Sequence, residues 1–325
     1  MGYPRPRRQP GRHDVVGGDR QHTMRADGDN IGLAVLAVVL AVFALSLGDA
    51  SIKRFSVDFT LWQIFVVRSA LAVPVLIAVA KARDRSLSLR PGILGWTAVR
   101  SLLLVFMWVA YYVALPHTEL SVAAAAYYTT PIFITLLAAL LVGDRVGAAG
   151  WTAVFLGFCG VLLILRPRAD AFNAHTLLPL ISAVLYAFAM ILTRTKCRDE
   201  HPLVLSLALN LTFVAVGAAA TLLTALWGPT TAGGETQGFL HGPWAAMGTR
   251  EWLVMGLLAT AILVGSVCAA VAYQAGPPAI VATFDFSYLA FAALWGLLFF
   301  GEVPDGVTVA GMVLIAVAGI LAVRR

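Results

Sequence analysis

Long apolar runs, separated by short polar segments, occupy nearly all of the chain from residue 31 to residue 323. A helix that crosses the hydrocarbon core of a bilayer needs roughly 20 mainly apolar residues, and runs of that length recur ten times. They cover about 31–52, 59–80, 92–115, 119–142, 147–165, 174–193, 203–227, 252–273, 277–300 and 306–323. The pattern predicts an all-α integral membrane protein with ten transmembrane helices, embedded in a lipid bilayer.

The composition excludes most other classes of protein. Of the 325 residues, 60% are hydrophobic and only 12% are charged, with a mean hydropathy of +0.84, whereas a soluble domain is about half apolar and about a quarter charged. The net charge of +6 does not indicate a nucleic-acid partner, because the lysines and arginines fall in short tracts between the apolar runs. Basic residues in such places orient a membrane protein instead.

Sequence signatures of catalysis are absent. The chain has no HExxH, Gly-x-Ser-x-Gly or Walker A sequence, so it is predicted to be neither an enzyme nor an ATP-driven pump. Its three cysteines lack the spacing of metal ligands, and we predict no metal site, cofactor or disulfide framework.

The basic residues predict the direction of the spans. With the N-terminus in the cytoplasm, the segments assigned to the inside hold 16 lysines and arginines, and those assigned to the outside hold 5. This asymmetry places both termini in the cytoplasm. The first thirty residues, rich in Pro, Gly and Arg, are predicted to be a disordered basic tail, and Met24 is an alternative start within it.

One short sequence pattern occurs twice, about half the chain apart. "LLVGDRV" at 140–146 corresponds to "LFFGEVP" at 298–304, and the same offset of 158 residues places Tyr127 opposite Asp285. The glycines are expected to permit a tight turn, which the acidic residue caps. Because five crossings invert the second copy, the duplication predicts two inverted repeats, residues 31–166 and 174–323, with a substrate site between them.

The same residues carry a resemblance to a known family. "YYVALPHTELSVAAAAYYTTPIFITLLAALLVGDRV" and its second copy "AYQAGPPAIVATFDFSYLAFAALWGLLFFGEVPD" resemble the EamA repeat of the drug/metabolite transporter superfamily. The resemblance implies a ten-helix carrier with a central cavity in the bacterial inner membrane. Members mostly export amino acids and related metabolites, and some take up vitamins or nucleosides. Asp144 departs from the glutamate that is usual at its position.

Asp285 is the first candidate for a functional residue, because a carboxylate at membrane depth is costly. It lies about eight residues into the ninth span, among aromatic residues that include Tyr288. We interpret it as a proton site or a substrate-amine site in the central cavity, together with Tyr127 and Tyr128. The alternative is a structural hydrogen bond to Thr283 or Ser287.

Arg68 and Asp49 are the second pair of candidates. Their predicted depths in the first two spans are similar, so they form either a structural ion pair or a site for a substrate carboxylate. Asp49 also lies one turn from Lys53, which allows a local pair. Arg100 is expected to snorkel to the cytoplasmic surface. Further polar and aromatic groups at suitable depths, none of them specific alone, are Asn210, Gln63, Trp108, Tyr111, Tyr112, Tyr273 and Gln274.

Taken together, these features favour a secondary carrier of small metabolites, most of all an exporter of amino acids or their derivatives. Protons are a candidate coupling ion. An importer of a vitamin or of a nucleoside-like compound is the alternative, and a membrane scaffold that transports nothing is the third possibility.

Overall fold

The computed structural model describes residues 30–55, 59–114, 120–167, 174–227, 239–240, 242–301 and 303–323. The predicted tail lies outside these residues apart from Asn30. The described part of the chain is helical and contains no strand. Its helices are α1 (Ile31–Phe55), α2 (Leu61–Arg83), α3 (Leu94–Ala114), α4 (Leu120–Tyr127), α5 (Thr130–Leu137), α6 (Ala148–Leu165), α7 (Leu177–Thr195), α8 (Pro202–Trp227), α9 (Thr249–Ala275), α10 (Pro278–Asp285), α11 (Ser287–Phe300) and α12 (Gly306–Val323).

The predicted membrane spans are present, with one difference. Within the described residues, nine helical stretches are long and apolar enough to cross a membrane, and α10 with α11 counts as one of them. The fourth predicted span consists of α4, α5 and a π-helical turn, Ala138–Val142. The protein is therefore an all-helical membrane protein, in which the fourth and ninth spans are each divided in two.

The contacts between helices follow a pseudo-two-fold pattern. The first and third spans of one half correspond to the sixth and eighth spans of the other. The first span packs on the eighth (α1 on α9), and in the same way the sixth packs on the third (α7 on α3). The second span packs on the seventh (α2 on α8), α5 packs on α10, and the fifth span packs on the tenth (α6 on α12). Exchanging the two halves leaves this set of pairs unchanged, as an inverted repeat requires.

The duplicated turn has the conformation that its glycines predict. Gly143 and Gly301, at equivalent positions of the two repeats, have φ values of 78° and 69°. Only glycine adopts this left-handed region without steric cost, and each residue ends the fourth helix of its half. Glu302 of the second copy lies outside the described residues.

Glycines also bring α6 and α12 into close contact. A Cβ atom added to Gly160 would lie 2.7 Å from the backbone oxygen of Gly311, and the reverse substitution would create an equally short contact. In a bilayer, such small residues let two backbones approach and gain van der Waals contact. The fifth and tenth spans are thereby held together.

Hydrogen bonds tie the connecting segments together at each end of the bundle. At one end, the side-chain amide of Gln63 bonds to both the N–H and the carbonyl oxygen of Ala245, at 2.8 and 2.9 Å. At the other end, Nε2 of Gln274 donates to the carbonyl oxygens of Cys197 and Glu200, at 2.7 and 2.8 Å. Each contact joins segments that the charge pattern assigns to the same side, so we call these ends outer and inner after the predicted orientation.

Arg100 does not snorkel as expected. Only 1% of the residue is exposed, and Nε donates a 2.6 Å hydrogen bond to Oγ1 of Thr193 on α7. A hydroxyl partner inside the bundle satisfies part of the guanidinium, so its side chain stays between the helices.

Candidate functional site

The breaks in the fourth and ninth spans fall at equivalent positions. The helix α4 ends at Tyr127 and α10 ends at Asp285, the two residues that the sequence repeat pairs. The helices α5 and α10, which belong to these two spans, contact each other. Broken helices that meet between inverted repeats are typical of substrate sites in secondary transporters.

The sequence explains how each break is stabilised. Pro131 has no N–H for the carbonyl oxygen of Tyr127, and the hydroxyl of Thr130 donates to that oxygen instead. One turn structure is repeated: Thr129 Oγ1 donates to the Ala126 oxygen and Ser287 Oγ donates to the Phe284 oxygen, both at 2.6 Å. These two bonds are equivalent under the 158-residue offset. Side-chain hydroxyls thus supply hydrogen bonds to backbone carbonyls at the points where the helices are interrupted.

The inner half of the bundle holds Asp285 in a hydrogen bond with Tyr273. The hydroxyl of Tyr273, near the end of α9, donates to Oδ2 of Asp285 at 2.5 Å. Thr283 and Ser287, the partners suggested by the sequence, donate to backbone oxygens of Ala279 and Phe284. The partner of this carboxylate is therefore a tyrosine on another span.

The outer half of the bundle holds Asp49 and Arg68. Tyr288 on α11 donates a hydrogen bond to Oδ2 of Asp49 on α1. Both Asp49 and Arg68 line a small cavity of about 10 Å³ together with Trp108 on α3. A cavity of that size holds about one water molecule, so the bundle is closed around this site. The side chain of Lys53, the other suggested partner of Asp49, lies outside the described residues.

Arg68 is surrounded by aromatic rings. Its guanidinium carbon lies 4.9 Å from the ring centre of Phe213, 5.2 Å from that of Phe65 and 6.0 Å from that of Trp108. Rings at these distances attract a cation through their negative faces. Asp49 also interacts electrostatically with Arg68, although the hydrogen bond to Asp49 comes from Tyr288.

A line of tyrosine rings joins the inner and outer carboxylates. Tyr273, which binds Asp285, and Tyr288, which binds Asp49, are its two ends. Successive ring centres lie 6.5 Å (Tyr273 to Tyr186), 6.4 Å (Tyr186 to Tyr127), 5.5 Å (Tyr127 to Tyr128) and 5.8 Å (Tyr128 to Tyr288) apart. These separations lie within the range of favourable aromatic pairs.

The structure brings together most of the residues that the sequence singled out. Asp285, Tyr127, Tyr128, Tyr288 and Asp49 are joined by the line of rings, and Arg68 with Trp108 lies beside its outer end. Asn210 on α8 stands apart from the line. It donates to the Ser206 oxygen at 2.9 Å, and its own Oδ1 is buried without a hydrogen-bond partner among the described residues.

Sequence reasoning missed Tyr186 and gave little weight to Tyr273, Tyr111 and Tyr112. The ring of Tyr111 lies 5.3 Å from that of Tyr127, and Tyr112 stacks on Trp108 at 5.4 Å. The chain has eight tyrosines, and all except Tyr3 of the tail belong to this one cluster. The distribution of tyrosine among the spans was therefore a signal available in the sequence.

Comparisons with known proteins agree with this architecture. Residues 32–166 match the model of the EamA-like transporter family. The pseudopaline exporter CntI of Pseudomonas aeruginosa is 28% identical over 89% of this chain and 95% of its own length. The riboflavin transporter of Rhizobium johnstonii is 32% identical over 67% of this chain and 65% of its own length, and that of Vibrio cholerae is 27% identical over 83% and 86%.

A solved structure shares the fold. A protein crystal structure superposes with a TM-score of 0.73 at 19% identity, covering 91% of this chain and 100% of the other. The relatives named above are transporters, and none of them is named as an enzyme. The chain is therefore a transporter of small metabolites, and its assignment as an EamA-type member of the drug/metabolite transporter superfamily, predicted from the duplicated sequence, is confirmed.

Proposed function

We propose that the protein is a secondary carrier that exports amino acids or their derivatives across the inner membrane of a bacterium. The observation that carries this proposal is the meeting of two broken spans at Tyr127 and Asp285, with ionisable groups on both sides of the meeting point. A soluble zwitterion needs such groups to replace its water shell inside a bilayer, because unpaired charges there are costly.

The line of rings supports a route between the two ends. Asp285 and Tyr273 lie near the inner connections, whereas Asp49, Arg68 and Trp108 lie toward the outer ones. Aromatic rings offer both an apolar face and, in tyrosine, a hydroxyl group. A metabolite with a polar head and an apolar remainder finds a partner for each part along this line.

The alternating mechanism follows from the closed ends of the bundle. The Gln63 contacts close the outer end and the Gln274 contacts close the inner end, so a substrate passes only if one set opens while the other holds. The pseudo-two-fold relation between the halves makes the inward-open and outward-open arrangements nearly equivalent in packing. Asp285 is the proposed group for proton coupling, because its half-buried carboxylate lies inside the bundle and is bound by the hydroxyl of Tyr273.

Uptake of a vitamin or nucleoside-like compound is the second candidate. Relatives named as riboflavin transporters favour it, as do S-adenosylmethionine uptake transporters, of which that of Rickettsia bellii is 25% identical over 30% of this chain. The aromatic line would then stack against a flat ring system. The relative named as an exporter, CntI, aligns over more of this chain, and we therefore favour export.

Transport by purified protein in liposomes tests the proposal. We expect labelled amino acids loaded inside to leave protein-containing vesicles faster than protein-free ones, and an imposed pH gradient to change their accumulation. Movement of riboflavin but of no amino acid would favour the second candidate. If the folded protein is inserted in both orientations and the vesicles transport neither riboflavin nor any amino acid, the result would favour a membrane scaffold that transports nothing.

A further inference from the structure

Arg68 has donors that no described residue uses. Only 5% of the residue is exposed, and both Nε and Nη2 are buried without a hydrogen-bond partner in the described part of the chain. Leaving buried donors unpaired is costly, and more so when the group is charged. An arginine in this state either destabilises the fold or uses these donors to bind a ligand.

The geometry of the unpaired atoms specifies the ligand. Nε and Nη2 form one side edge of the guanidinium, along which two N–H bonds lie parallel. That edge matches the two oxygens of a carboxylate, which arginine binds in a bidentate manner.

The surroundings of Arg68 favour binding of an anion over a permanent internal pair. Among the described residues, the hydrogen bond to the carboxylate of Asp49 comes from Tyr288, and Asp49 leaves the Nε and Nη2 edge of Arg68 unpaired. The rings of Phe65, Phe213 and Trp108 exclude water from the guanidinium, and exclusion of water strengthens a charge-assisted hydrogen bond.

We propose that Arg68 binds the carboxylate group of the transported metabolite through Nε and Nη2. This inference rests on the proposed function and narrows it to substrates that carry a carboxylate. The cavity beside Arg68, Asp49 and Trp108 measures about 10 Å³, too small for a ligand. Binding therefore takes place when α1 and α9, which line the cavity with α2 and α3, move apart.

Thermal unfolding of the purified protein in detergent tests this assignment without any transport step. The probes are the proteinogenic L-amino acids, each compared with its carboxamide, which keeps the amine and loses the carboxylate. We expect one or more of the acids to raise the unfolding temperature of the wild type, and the matching amides to be weaker by about tenfold to a hundredfold in apparent affinity.

Arg68→Lys keeps the positive charge but presents no fork, and it should lose the preference for acids. Arg100→Lys is the matched control, because Arg100 is likewise an arginine buried inside the bundle, with 1% of the residue exposed. It should keep the preference. Amides that match the acids in the wild type would overturn the assignment, and so would an acid preference that survives in Arg68→Lys. The wild-type comparison decides the matter even if Arg68→Lys does not fold.

Failure of the assignment is distinguishable from failure of the proposed function. Equal transport of amino acids and their amides would support the carrier function and contradict the binding of a carboxylate by Arg68. Selective binding of the acids without any transport of them in vesicles would support the role of Arg68 and contradict the carrier function. If no acid stabilises the wild type, the carboxylate assignment is wrong.

Discussion

Tyr127 and Asp285 each end the first half of a broken membrane span, at equivalent positions of the two repeats. A neutral phenol thus stands in one half where a carboxylate stands in the other. The backbone geometry of the two breaks is alike, since Thr129 and Ser287 satisfy equivalent carbonyl oxygens. The chemical difference between Tyr127 and Asp285 is therefore built on a symmetric backbone.

Removing the charge at Asp285 should impair transport without unfolding the protein. Asp285→Asn keeps the size of the side chain and an oxygen that can accept the hydrogen bond from Tyr273. We expect the unfolding temperature to change little and the transport rate to fall by about tenfold or more, which corresponds to roughly 1.4 kcal/mol. Initial rates in proteoliposomes, at matched protein content, measure the effect.

The dependence on pH separates two roles of Asp285. A proton site predicts that Asp285→Asn loses accumulation driven by a pH gradient but keeps downhill exchange. An amine site predicts weaker binding of amine-bearing substrates at every pH. The matched control is Tyr273→Phe, which leaves the charge and removes only the donated hydrogen bond. Wild-type rates and wild-type pH dependence in Asp285→Asn would show that the carboxylate is structural.

The glycine contact between α6 and α12 should not tolerate even a methyl group. A Cβ atom at Gly160 would lie 2.7 Å from the Gly311 oxygen and 2.9 Å from the Ile315 side chain. We expect Gly160→Ala to destabilise the protein by about 1–3 kcal/mol through overpacking, seen as a lower midpoint of thermal unfolding in detergent.

Gly256 supplies the matched control for that experiment. It lies within α9, and an added Cβ atom there would meet nothing within 4 Å. Gly256→Ala should be neutral or slightly stabilising, because alanine is the better helix former by about 1 kcal/mol. Equal stability of the two alanine variants would contradict close packing of α6 on α12.

The spans and turns were predictable from the sequence because they depend on local properties. Apolar length fixes a membrane helix, and the glycines at Gly143 and Gly301 adopt the left-handed turn that their positions suggest. The pairing of Tyr127 with Asp285 was also visible, since it follows from one constant offset. These features can be predicted without knowing which helices are in contact.

The partners of the ionisable groups inside the bundle were not predictable in the same way. Tyr273 is twelve residues from Asp285, and Tyr288 is 239 residues from Asp49, so neither pair follows from spacing on one helix. In a membrane protein both faces of a helix are apolar, and periodicity does not say which face meets another helix. Arg100 was misjudged for this reason, because the hydroxyl that holds it belongs to Thr193 on a different span.

The predicted orientation can be tested by labelling from one side of the membrane. In a variant without Cys159, Cys197 and Cys268, single cysteines introduced at 228–249 should react with an impermeant thiol reagent in intact cells. Single cysteines at 84–88 should stay unlabelled until the membrane is broken. The opposite labelling pattern would show that the predicted orientation is wrong and that the ends called outer and inner must be exchanged.

Opening of the inner end should be controlled by Gln274. Its Nε2 donates to the carbonyl oxygens of Cys197 and Glu200, and it directly follows Tyr273, the partner of Asp285. Movement that breaks these bonds therefore displaces the hydroxyl that holds the carboxylate. Gln274→Leu removes both of these donated hydrogen bonds from the closed state, although the Cys197 oxygen keeps the bond from the Glu200 N–H at 3.3 Å. The loss favours opening.

Cys197 is a native probe of this opening, because its side chain is fully buried in the closed bundle. In purified protein that lacks Cys159 and Cys268, the Cys197 thiol should react slowly with a maleimide. Gln274→Leu should accelerate the reaction by about tenfold or more, as expected for the loss of at least one hydrogen bond of roughly 1.4 kcal/mol. Gln63→Leu is the matched control, because Gln63 plays the corresponding part at the outer end. It should leave the reactivity of Cys197 unchanged, whereas equal acceleration by both variants would mean general loosening of the bundle and no specific control by Gln274.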